Sequence, residues 1–283
     1  MEKKLIFLDI DGTLIDTPLA PSPLVRKAVK CARSNGHGVF LCTGRNLPSI
    51  RSDILDIGFD GIIASAGDYV EAGGKILFDS VMPEALVQEC LNVFRQNHIY
   101  CTIEAREGSY MDPQLEALLQ TASPNSCNSE LIRLQEQAKK DMNRMRYANY
   151  PGQGAYKISF ASTEPESVRK AGVALSDRFD FIVHPSKKYS GCLNGEIIRK
   201  GIDKKRGMEI VRQHLGIELR NTVAFGDSMN DYSMLCCTGI SVAMGNACEE
   251  IKAICDRVCE DVAHDGVYWE FMRMGLCSEP QSS

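Results

Sequence analysis

FLDIDGTLID, residues 7–16, sets Asp9 and Asp11 one residue apart at the end of an apolar run, followed at once by Gly12 and Thr13. Two ionised carboxylates ~4 Å apart repel by about 4 kcal/mol at an effective dielectric of ~20, so a chain that keeps such a pair implies a compensating charge. Residues 4–8 (KLIFL) are too short for a helix and apolar enough for a buried strand. The two aspartates therefore fall at a strand's C-terminal end.

Residues 21–35 carry helical spacing through Leu24, Val25, Ala28, Val29 and Ala32 and stop at Asn35-Gly36; GVFLC (38–42) follows as a second buried strand ending in Thr43-Gly44-Arg45. Strand, helix, strand is the unit of a parallel α/β sheet. Residues 48–55 read as a helix, GIIAS (61–65) as a strand and YVEAGGKILFDS (69–80) as a hairpin. From Met82 the pattern changes. EALVQECLNVFRQN (84–97) reads as a helix and YCTIEA (100–105) as a strand, followed by the polar stretch SPNSCNSE (123–130) and a helix over 130–140. AYKISFAS (155–162) alternates like a half-exposed strand, SVRKAGVALSDRF (167–179) looks helical, and DFIVHPS (180–186) closes as a strand. The first style then returns with a helix at 204–215, the strand TVAFG (222–226), GDSMND (226–231), a helix from Tyr232, the strand GISVAMG (239–245) and a final helix from Cys248. The expected organisation is one discontinuous α/β domain, residues 1–81 and 189–283, interrupted by an α+β domain over 82–188.

Composition narrows the function. The 283 residues are 44% hydrophobic and 24% charged, with a net charge of −5, so no broad basic surface recruits nucleic acid or anionic membrane. The apolar run after Lys3-Lys4 is far shorter than the ~7–15 residues of a secretory core or the ~20 of a membrane span. Twelve cysteines without a C-x-x-C pair suggest reduced thiols in a cytoplasmic protein, and five histidines show no ligand spacing. Cys255 and Cys259, four apart, would share a helix face as small buried hydrophobes. KKDMNRMRY (139–147) reads as a solvated charged face, or as one turned toward an anionic substrate.

Ligands of an open parallel sheet bind at the C-terminal ends of its strands. Asp9-x-Asp11, Thr43-Gly44-Arg45, Lys204 and Asp227 to Asp231 all fall there or at a neighbouring helix start. Several carboxylates with only oxygen donors suit a hard cation such as Mg²⁺. A phosphate would then find that ion, Lys204, the Thr43 hydroxyl and backbone N–H groups such as those of Gly12 and Gly44. One aspartate can attack phosphorus and the other can shuttle the proton, while Gly12 lets the backbone turn sharply between them. Arg45 serves either an anionic substrate or a surface carboxylate.

DIDGTLID, LCTGR, Lys204 and GDSMND resemble, in order, the four motifs of the haloacid dehalogenase superfamily. SVAMGNACEEIKAICDRVCEDVAHDGV (241–267) is similar to the C-terminal signature of its Cof-type, subclass IIB sugar-phosphate phosphatases. The resemblance implies a Rossmann-like core with an inserted α+β cap of type IIB. It implies Asp9 as nucleophile and metal ligand, Asp11 as general acid/base with its carbonyl on the metal, and Thr43 as phosphate donor. Lys204 would clamp nucleophile and phosphate, Asp227 would bind Mg²⁺, Asn230 would touch phosphate or lysine, and Asp231 would support the metal from behind its ligands. The implied activity is a Mg²⁺-dependent phosphatase of small phosphorylated metabolites acting through an aspartyl-phosphate. A phosphomutase shares these residues; a phosphosugar-binding sensor would need one of them missing, and none is. Two positions depart from the family: Lys204-Lys205 replaces the frequent Lys-Gly, and SAGD places Ala66 where relatives have Asn-Gly.

Overall fold

The computed structural model describes residues 2–121, 131, 132, 134, 135, 144–184 and 193–277. The stretch 123–130, most of the helix expected over 130–140 and residues 139–143 lie outside the described residues. The chain divides into two compact units, Met1–Gly44 with Ile50–Asp79 and Asp203–Ser283, and Arg45–Ser49 with Ser80–Ile202.

The first unit is built on an eight-stranded sheet. Strand β1 (Leu5–Leu8) pairs in parallel with β2 (Gly38–Cys42) on one side and β12 (Thr222–Gly226) on the other. The parallel array continues through β3 (Gly61–Ala64) at one flank and β13 (Ile240–Ala243) and β14 (Arg257–Val258) at the other; the hairpin β4 (Tyr69–Ala72) and β5 (Lys75–Asp79) extends it antiparallel. All four residues of β1 are fully buried, as a central parallel strand requires. Two helix starts are fixed by side chains. Ser22 accepts from the Val25 N–H ahead of Pro23–Ser34, and Asp203 accepts from the Arg206 N–H ahead of Lys204–Leu215, which Gly216 ends in the left-handed region.

Two expectations are corrected in this unit and its borders. Residues 48–55 are not one helix but a 3-10 turn, Leu47–Ser49, and a single α-turn, Ser52–Leu55, separated by Arg51 in extended conformation. The Ser49 hydroxyl and N–H both bond Asn46, which offers the backbone an alternative to the helix. The helix from Cys248 is Glu249–Ile254, and it is not the last: β14 and the helix Gly266–Arg273 follow. Asp256 accepts from the N–H and hydroxyl of Ser241 and draws the chain back along β13. Cys255 and Cys259 therefore share no helix face, although Cys259 is buried, and burial pushes both thiols up, to about 11 and about 12.

The second unit carries a six-stranded sheet, in spatial order β10 (Phe179–His184), β11 (Leu193–Arg199), β9 (Lys157–Ser162), β6 (Tyr100–Glu104), β7 (Ser109–Met111) and β8 (Arg144–Arg146). Only β7 and β8 run parallel. The helices Glu84–Gln96 and Pro165–Leu175 supply Val87, Leu91, Phe94 and Val168 to a core with Ile103, Ile158, Phe160 and Ile197. β9 is buried along its entire length, not half-exposed, because its alternate face carries Lys157 and Ser159 into a buried polar cluster. Residues 189–202 were expected in the returning core; they carry β11, which pairs with β9 and β10, and the first unit resumes at Asp203. The architecture is thus α/β, a Rossmann-like parallel core with an inserted α+β domain.

Candidate active site

Asp9 continues directly from β1, its N–H donating to the Phe225 carbonyl at 3.3 Å. The chain then turns on itself. The N–H groups of Leu14 and Ile15 both return to the Ile10 carbonyl, at 2.9 and 3.0 Å, and Gly12 takes φ +83°. A Cβ at position 12 would stand 2.3 Å from Asp227 Oδ2, so glycine is needed here for conformation and for close approach of a carboxylate. The Asn246 amide steadies this turn by donating to the Gly12 carbonyl at 2.8 Å.

Lys204 is the centre of charge. Its Nζ donates to Asp9 Oδ1 at 2.7 Å and to Asp231 Oδ1 at 2.6 Å, with Asn230 Oδ1 at 3.4 Å, and it is only 1% exposed. Of the two lysines left open by the sequence, this is the one drawn inward. Burial opposes the ammonium, yet the carboxylates of Asp231 and Asp9 outweigh it and hold Lys204 well above an ordinary lysine. Burial also pushes Asp9 well above the usual carboxylate range; Lys204 offsets this in part, while Asp231 and Asp11 add to it.

The GDSMND turn is organised by Asp231. Its Oδ2 accepts from the N–H groups of Asp227 and Ser228 at 3.0 and 3.2 Å, while its Oδ1 receives Lys204. Single oxygens of Asp9, Asp227 and Asp231 lie within 4.8 Å of one another, all buried. Asp11 adds no side-chain oxygen to that group; its carboxylate accepts from the Thr17 hydroxyl. This donor set is all oxygen, which suits Mg²⁺. It also leaves Asp9 with one lysine against burial and two neighbouring carboxylates, so a second positive charge fits the site. Since both Asp231 oxygens are engaged, Asp9 and Asp227 are the side chains that would hold the ion.

Thr43 is buried in the same unit, its N–H donating to Ile63 O at 2.8 Å and its carbonyl accepting from Ala66 N at 3.0 Å. Gly44 is likewise buried. Arg45 groups with the second unit, where its Nη1 donates to the Ser49 carbonyl at 3.0 Å.

Sequence reasoning missed the contacts of two further segments. Asn246 lies inside the C-terminal signature, but nothing in the signature says that it reaches back to Gly12. Ser65 and Ala66 both adopt positive φ, 51° and 56°, and Gly67 passes so close to Asp203 that a Cβ would be 2.3 Å from its carbonyl oxygen. The SAGD turn thereby packs against the start of the Lys204 helix while its Ala66 N–H holds Thr43. Ala66 adopts the left-handed conformation without the asparagine or glycine that usually does so.

Residues 6–271 match the family of haloacid dehalogenase-like hydrolases. The chain belongs to the haloacid dehalogenase-like hydrolases. It is 27% identical over 278 residues to YkrA of Bacillus subtilis (strain 168), covering 98% of this chain and 99% of that one. It is 26% identical over 275 residues to the HMP-PP phosphatase of Serratia proteamaculans (strain 568), covering 94% and 95%. The fold matches that of the HAD subclass IIB sugar phosphatase BT4131 with a TM-score of 0.77 at 23% identity, over 97% of this chain and 100% of that one. The chain is an enzyme, a phosphoric monoester hydrolase. No helix among the described residues is long and apolar enough to cross a membrane.

Proposed function

We propose that this haloacid dehalogenase-like enzyme hydrolyses small phosphorylated metabolites, sugar phosphates foremost, in a Mg²⁺-dependent reaction through an aspartyl-phosphate on Asp9. The observation that carries the reading is Lys204 bridging Asp9 and Asp231 at 2.7 and 2.6 Å beside Asp227. Asp9, Asp227 and the Asp11 carbonyl would hold Mg²⁺, which would supply positive charge beside the phosphoryl oxygens. The remaining work falls to the chain. Lys204 holds the Asp9 carboxylate by one oxygen, and Asp9 forms a bond to phosphorus while the ester P–O bond breaks. Asp11, oriented by Thr17, gives its proton to the departing alkoxide and later takes one from the water that attacks phosphorus, which releases phosphate and restores Asp9.

Thr43, Asn230 and the N–H groups of Gly12 and Gly44 would hold the phosphoryl oxygens, and Asp231 would fix Lys204 and the turn carrying Asp227. The substrate class is supported by the relatives, one named for HMP-PP and a structural neighbour for sugar phosphates. The inserted domain would choose the leaving group and exclude water. A panel of phosphorylated metabolites, ranked by kcat/KM with Mg²⁺, tests this. Phosphate release in step with substrate loss is expected, whereas isomerisation faster than release would replace the reading with a phosphomutase.

A further inference from the structure

The helices Pro23–Ser34 and Gly266–Arg273 both belong to the first unit, and two thiols meet where they end. The second helix closes on Gly275 at φ +69°, and the N–H groups of Leu276 and Cys277 both return to the Phe271 carbonyl, at 2.9 and 3.3 Å. Cys277 is thereby held in a defined turn, only 2% exposed. Asn35 pins that turn to the first helix. Its Nδ2 donates to the Leu276 carbonyl at 3.0 Å, while its own N–H bonds the Cys31 carbonyl at 2.9 Å. Cys31, one helical turn before Asn35, lies on the same face and is half-buried. The Cys277 thiol is in hydrogen-bond contact with Cys31; burial first, and that neighbour second, push it up to about 12.

We propose that Cys31 and Cys277 form a reversible disulfide on exchange with a low-molecular-weight disulfide such as oxidised glutathione, and that this bridge staples the two helices together. Cys31, the more accessible of the two, reacts first. Its thiolate forms a bond to one sulfur of the small disulfide, whose S–S bond breaks and expels one thiolate. Cys277 then loses its proton and attacks the Cys31 sulfur, closing the internal bridge and expelling the second thiolate. The two protein thiols are oxidised and the small disulfide is reduced to two thiols, which carry away the two protons. Once its sulfur carries glutathione, Cys31 no longer bears the charge that helps to keep Cys277 protonated, so the first step prepares the second.

The full chain, equilibrated in buffers of reduced and oxidised glutathione, acid-quenched, alkylated and cut by trypsin after Lys30, Arg33 and Arg273, tests this. Oxidation should remove two hydrogens from the intact mass and join residues 31–33 to residues 274–283, and excess dithiothreitol should separate them. The bridge restricts the unfolded chain, so the urea midpoint of the oxidised protein should rise by about 1 M. That rise should be absent in Cys31→Ser. Glutathione retained on Cys31 without a bridge, alkylation of both thiols, a bridge from Cys31 to another cysteine, or an unchanged midpoint in bridged protein would overturn the proposal.

Discussion

Among the described residues, two lysines are almost wholly buried between pairs of carboxylates, and they do different things. Lys204, 1% exposed, lies between Asp9 and Asp231 in the first unit; Lys157, 0% exposed, lies between Glu196 and Glu104 in the second. Each lysine forms ion pairs with two carboxylates. What differs is the backbone beneath. Glu104 and Lys157 are directly opposed across β6 and β9, and Glu196 stands opposite Ser159, so this cluster lies across the middle of three paired strands. The Ser159 hydroxyl also donates to Glu104, at 2.5 Å. Asp9 instead follows the end of a strand, Lys204 opens a helix and Asp231 closes a turn, with the Asp227 and Ser228 N–H groups donating to Asp231. Charges placed across a sheet fix register; charges at strand ends stay available to a ligand.

Replacing each lysine sharpens that contrast. Lys204→Met is expected to remove turnover by at least ~10³-fold. It should also destabilise the fold by about 3–5 kcal/mol, since buried carboxylates lose their partner. Lys157→Met should cost a similar ~3–5 kcal/mol while the folded protein keeps near-wild-type kcat, and Glu104→Gln with Glu196→Gln should restore most of the loss. Urea unfolding and steady-state kinetics on the four proteins check this; a catalytic collapse in Lys157→Met would break the comparison.

A smaller effect follows from pH. Burial holds the Asp9 carboxyl above its ordinary range in the metal-free protein. The protonated form is therefore favoured on folding, and that stabilisation is lost as pH rises through the raised value. Mg²⁺ must displace this proton, so its affinity should strengthen by about tenfold per pH unit until Asp9 is ionised unaided. Calorimetric titration across pH reads this, and a pH-independent affinity would place the ion elsewhere. The smallest change expected is in Ala66→Gly. Relief of the left-handed backbone at φ 56° should raise stability by about 0.5–1 kcal/mol, visible as a higher unfolding midpoint with turnover unchanged.

How legible each cluster was in the sequence follows from the same contrast. Asp9, Asp11, Thr43, Lys204 and the GDSMND aspartates announce themselves because each ends an apolar strand or opens a helix, where a carboxylate or lysine has no packing role. Lys157 and Glu196 sit at alternating positions of β9 and β11, which periodicity alone reads as a solvent face. Only the pairing of β11 with β9 shows that these charges are buried, and the same mispriced glutamate hid β11 itself and moved the expected domain return to 189. The contacts made by Asn46, Ala66 and Asn246 were not legible for another reason. Each acts on a backbone carbonyl remote in sequence, through an amide that carries no pattern. The unit boundary between Gly44 and Arg45 escaped because the motif runs through it without a change of composition.

The central claim is that Asp9 carries the phosphoryl group and Asp11 completes the second half of the reaction. Asp11→Asn protein given substrate and Mg²⁺, quenched in acid and reduced with borohydride, should show homoserine at position 9 by peptide mass spectrometry. Phosphoryl group on any other residue, or an unmodified position 9 in protein that is still turning over, would contradict the account.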